Sequence, residues 1–119
     1  MMILAKLFMS AALAGGFNMP ADELNAAKKD ALSGSAEAAK KLYEYYERGR
    51  LEYDESFKWL TICAENGDMV CEYNLGFVMA RKPGEENALR GHFWLARAAA
   101  HGNQRAVEFL EELKVKKKL

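Results

Sequence analysis

Three times in this chain a glycine is followed at once by a residue able to cap a helix: Gly34-Ser35, Gly67-Asp68 and Gly102-Asn103. The glycines stand 33 and 35 residues apart. Each pair carries the same local instruction. Glycine takes the left-handed conformation that closes a helix C-terminus. Serine, aspartate or asparagine then accepts hydrogen bonds from the free amides that open the next helix. Punctuation at so regular an interval predicts antiparallel helix pairs stacked as a repeat, an architecture used chiefly as a binding scaffold.

The residues between the punctuation agree. There are two prolines in 119 residues, and alanine, leucine, glutamate and lysine dominate, which favours helix over strand. No segment alternates apolar and polar residues between turn signals. The expected fold class is all-α, an α/α superhelical solenoid of about six helices. Their expected extents are Glu23 to Ser33 (capped by Asp22), Ala36 to Arg48, Glu55 to Asn66, Met69 to Arg81, Glu86 to His101, and Gln104 to Lys116. Helical spacing turns Leu24, Ala27 and Ala31 inward on the first and Ala38, Leu42, Tyr45, Tyr46 and Gly49 on the second. Trp59 and Leu60, with Ile62 or Cys63, face inward on the third. Cys71, Leu75, Val78 and Met79 do so on the fourth. Phe93, Trp94 and Ala98 to Ala100 follow on the fifth, and Ala106, Val107, Leu110 and Leu113 on the sixth. The corresponding division is a capping helix over 22–34, repeats over 35–67 and 68–102, and a second capping helix over 103–119.

Residues 1–16 read differently. Lys6 precedes an apolar run from Leu7 to Leu13, and Ala14-Gly15-Gly16 offers small residues for cleavage. These are the parts of a secretory signal peptide, and the run is too short to span a bilayer. Phe8, Ala12 and Gly16 also echo the spacing of Trp94, Ala98 and Gly102, which leaves an ordinary first helix as the alternative. A signal peptide would place the mature chain in the periplasm or outside the cell. A retained segment would place it in the cytoplasm.

The formal net charge is +0, from 17 basic and 17 acidic residues. A nucleic-acid binder should carry a basic excess, so that class is set aside. Lys114, Lys116, Lys117 and Lys118 complement the dipole at a helix C-terminus.

Laid over one another, the repeats share more than their glycines. Ala38, Cys71 and Ala106 occupy one small position. Leu42, Leu75 and Leu110 follow four residues later. Trp59 and Trp94 each lie eight residues before a closing glycine, and Cys63-Ala64 matches Ala98-Ala99. This pattern resembles the Sel-one-like repeat family, relatives of the tetratricopeptide repeats, over about Leu24 to Leu113. The family motif runs small-x-x-x-Leu-Gly-x-x-Tyr, a loop, then Trp-x-x-x-Ala-Ala-x-x-Gly. Met79 replaces the tyrosine in one repeat, Tyr43 the glycine in the other, and Ser56 and Gly91 stand where alanine is usual. The resemblance implies an adaptor that binds another protein or peptide and does not by itself imply chemistry.

Cys63 and Cys71 are eight apart across the turn, face to face on neighbouring helices. The same spacing occurs in the cysteine-rich secreted branch of the family, where such pairs form disulfides. The alternative is two buried thiols packing in alanine positions.

No catalytic constellation stands out. Some members of the cysteine-rich branch are catalogued as β-lactamases, which makes a β-lactamase or penicillin-binding enzyme the second functional reading. None of Ser10, Ser33, Ser35 and Ser56 begins the Ser-x-x-Lys of a serine acylating enzyme. His92 and His101 are nine apart on one expected helix, so they point to opposite sides and share no metal. No cofactor is expected. The first reading is a non-enzymatic adaptor or inhibitor of the bacterial envelope, with an immunity protein against a secreted toxin as one form of it. Its binding face would be a ladder on the first helix of each pair: Lys40 with Tyr73, Glu44 with Phe77, and Arg48 with Arg81, each pair 33 apart. Aromatic and charged groups in that mixture are favoured at binding hot spots.

Overall fold

The computed structural model describes residues 18–118. They form α1 (Ala21–Leu32), α2 (Ala36–Glu44) continued by a π-helical segment (Tyr45–Gly49), α3 (Tyr53–Glu65), α4 (Met69–Ala80), α5 (Glu85–Ala100) and α6 (Gln104–Lys118). No strand occurs among the described residues, and the protein is all-α. The leader expected over residues 1–16 lies outside the described part. Each helix packs on its chain neighbours, and α1 also touches α3.

The three punctuation marks close their helices by one device. Gly67 has φ 101°. Its N–H donates to Ala64 O at 3.0 Å, and the Asp68 N–H donates to Cys63 O at 3.3 Å. These paired bonds satisfy the last carbonyls of α3. The Asp68 carboxylate then accepts from the Cys71 N–H at 2.9 Å, which opens α4. Ser35 does the same for the Ala38 N–H at 3.0 Å and Asn103 for the Ala106 N–H at 3.0 Å.

Other expectations shift. Asp22 is not a cap: Pro20 stands at the N-cap, and Asp22 lies in the first turn of α1 with Glu23, where a carboxylate favours the helix dipole. The second helix does not stay α-helical to Arg48. From Tyr45 it widens, and the Arg50 N–H donates to Tyr45 O at 2.9 Å, five residues back. Leu51 follows with φ 55°, a strained value for a residue with a side chain.

The main core gathers Ala39, Leu42, Tyr46, Trp59, Leu60, Cys63, Cys71, Leu75 and Trp94. A second cluster of Leu95, Ala98 and Ala106 joins α5 to α6, with Tyr73, Phe109, Leu110 and Leu113 against it. On α5 the inward row is Trp94, Leu95 and Ala98. Phe93, expected inside, is 41% exposed and meets Trp94 edge-on at 5.1 Å. Val107 also turns outward, and Ala39 is more deeply buried than Ala38.

Two glycines let α4 and α5 approach closely. A Cβ on Gly91 would lie 2.6 Å from Ala80 N, and one on Gly76 would lie 2.9 Å from Leu95 N. Backbone atoms cannot yield as a side-chain tip does. Gly91→Ala is therefore expected to destabilise by about 1–3 kcal/mol, although alanine is the better helix former. Urea unfolding of the variant checks this, and an unchanged or raised midpoint would show that the two helices can separate without cost.

Candidate functional site in a groove between α4 and α6

The fourth and sixth helices leave an open groove of about 740 Å³ between them. From α4 it receives Tyr73 and Phe77, with Arg81 just past the helix end. From α6 it receives Arg105, Glu108, Phe109, Glu112 and Lys116. Three aromatic rings form its floor. Phe77 lies 6.0 Å from Tyr73 and 5.1 Å from Phe109, centroid to centroid. The Arg81 guanidinium sits 5.1 Å above the Phe77 ring, which holds a cation at the mouth without desolvating it.

Helical register explains the arrangement. Tyr73, Phe77 and Arg81 are spaced by four, so they fall along one side of α4. Gly67 and Gly102 are 35 apart, and the residues 35 beyond these three are Glu108, Glu112 and Lys116. All three line the opposite wall. The 35-residue interval thus places matching positions of α4 and α6 against one space.

Of the ladder expected from sequence, the groove brings together Tyr73, Phe77 and Arg81. Lys40, Glu44 and Arg48 do not line it. Lys40 approaches the Asp68 carboxylate at 4.0 Å, Glu44 ends α2, and Arg48 lies in the π-helical segment. The α6 wall was missed, although the 35-residue offset between glycines would have found Glu108, Glu112 and Lys116. Arg105 and Phe109 have no such signal.

Two further features fix α4. Cys63 and Cys71 are joined as a disulfide with Cα atoms 5.8 Å apart, and both are fully buried. One residue on, Glu72 is also fully buried. The Arg97 Nε–H donates to its Oε2 at 2.9 Å, and His101 Nδ1 lies 2.7 Å from its Oε1. Arg97 comes from α5 and His101 from the residue that caps it, and both keep nearly half their side-chain surface exposed. The cluster is thus an internal anion held by two cation-forming side chains at the protein surface. His101, expected on the side opposite His92, finds its partner in Glu72, to which no sequence spacing points. Among the described residues no helix is long and apolar enough to cross a membrane.

No family model, curated protein or solved structure matches this chain.

Proposed function

We propose that the protein is a non-enzymatic interaction module of Sel-one-like repeat type, which binds another protein or peptide along the α4–α6 groove. The observation that carries this reading is the groove itself, in which the aromatic floor of Tyr73, Phe77 and Phe109 is bordered by charges of both signs. Aromatic anchors lose little rotamer freedom on binding, and charged rims set register and exclude wrong partners. A neutral chain with such a local mixture suits a protein surface better than a polyanion.

Covalent chemistry supports an oxidising compartment. A disulfide persists in an oxidising environment, and residues 1–16 have the composition of a secretory leader. On this reading the module works in the periplasm or the extracellular space, and inhibition of a secreted toxin is one form of its task.

The test is capture from an envelope extract of the native host with the disulfide-bonded chain, run beside an Arg81→Glu/Arg105→Glu variant. Both arginines are exposed, so reversing them spares the buried core while removing the Arg81 contact with Phe77. The expected result is a discrete protein retained by the wild type and lost, by tenfold or more, with the variant. Equal retention by both would remove the groove from the proposal. Turnover of a chromogenic β-lactam by the pure protein would replace the binding role with an enzymatic one.

A further inference from the structure

A second cavity, of about 330 Å³, lies where α2, α3 and α4 meet and shares no residue with the groove. Its wall combines two kinds of group. Tyr43, Tyr53 and Phe57 supply aromatic surface, while Glu47 and Asp54 supply carboxylates. The structural irregularities of the chain collect beside it. Glu47 stands in the π-helical segment Tyr45–Gly49, and the left-handed Leu51 precedes Tyr53 and Asp54. Such π segments recur at functional sites, and strain at a non-glycine residue is held in place by its surroundings. Here the wider turn delivers Glu47 to Ser56, whose buried hydroxyl donates to Oε1 at 2.8 Å. The serine engages one carboxylate oxygen and leaves the other able to accept from a guest. Burial holds the Tyr43 phenol above its ordinary value, and the Glu47 carboxylate adds to that, so the phenol stays neutral.

A cation already tests this environment. The Lys82 ammonium, from the exposed turn after α4, stands 4.2 Å from the centroid of the Phe57 ring and borders the same cavity. Aromatic faces together with carboxylates are the chemistry that selects an ammonium group, and partial desolvation strengthens it. Leu60 and Val78 complete the wall with aliphatic surface, against which a hydrocarbon stem can lie.

We infer that this cavity is a binding site for an alkylammonium group, with Lys82 as its tethered internal occupant. A free amine and a lysine side chain of a partner carry the same group. The site differs from the groove, so it stands or falls without the proposed function.

The test is an NMR titration of the full chain with pentylammonium chloride. Pentanol serves as the neutral control and Nα-acetyl-lysine amide as the peptide-borne form. Pentylammonium should shift the signals of Tyr43, Tyr53 and Phe57, and pentanol should not. Glu47→Gln keeps an oxygen for the Ser56 hydroxyl but removes the charge, and should weaken binding about tenfold. Lys82→Met removes the competitor and should tighten binding by about threefold or more. Tighter binding of the acetylated lysine than of the free amine assigns the guest to a protein, and the reverse order assigns it to a small amine. Equal shifts with pentanol, an unchanged affinity in Glu47→Gln, or no gain in Lys82→Met would each overturn the inference.

Discussion

Replacing Arg97 and His101 together with alanine is expected to lower the unfolding free energy by about 3–5 kcal/mol. Glu72 has no exposed surface, and its two carboxylate oxygens are served by these two side chains. Without them a carboxylate remains in the core with its desolvation uncompensated. The opposite truncation should be milder. In Glu72→Ala both basic groups, already nearly half exposed, turn to water, and the loss is chiefly that of a filled core position, about 1–3 kcal/mol. The asymmetry is the diagnostic result, and urea unfolding at neutral pH measures both variants. Equal losses would mean that Glu72 reaches solvent, and that the α4–α5 contact rests on the glycines and Leu95 alone.

The second large effect is expected from Cys63→Ala/Cys71→Ala. The disulfide spans a sequence separation of 8. Closing so short a loop stabilises by about 2.5 kcal/mol on the chain-entropy model. Both sulfurs are fully buried, so their removal adds a packing loss. The variant should unfold at lower denaturant, and reducing agent should move the wild type most of the way towards it. A wild type indifferent to reductant would show that the turn around Gly67 is held by its hydrogen bonds and not by the sulfur link.

The helix boundaries were legible in the sequence because capping is local chemistry: Gly67 and Asp68 need only their immediate neighbours to end one helix and begin another. The face of α5 was less legible. Phe93, Trp94 and Leu95 are consecutive, and periodicity cannot say on which side of the tryptophan the core lies. The structure chose Leu95, whose backbone must meet Gly76. The π-helical segment left no trace, since Tyr45, Tyr46 and Gly49 satisfy ordinary helical spacing until the chain is pulled towards Ser56. Glu72 was invisible for a related reason. A carboxylate beside a buried cysteine reads as solvent-facing until Arg97 and His101, which are 25 and 29 residues away, come across from the next helix and its C-terminal cap. Half of the groove was read from the interval between Gly34 and Gly67. The other half lay in the next interval, and Arg105 and Phe109 required the tertiary structure.

The binding role of the groove is tested most directly by Tyr73→Ala/Phe77→Ala, followed by both a thermal melt and a binding isotherm with the captured partner. Both rings are half-buried, in contact with one another and, through Phe77, with Phe109. Hot-spot aromatics of this kind each contribute about 2 kcal/mol or more to binding. The expected result is an affinity loss of about a hundredfold or more, with helical content kept and a melting temperature lowered by only a few degrees. A collapsed melting temperature, or an isotherm unchanged from the wild type, would contradict it and leave packing between helices as the whole role of the two rings.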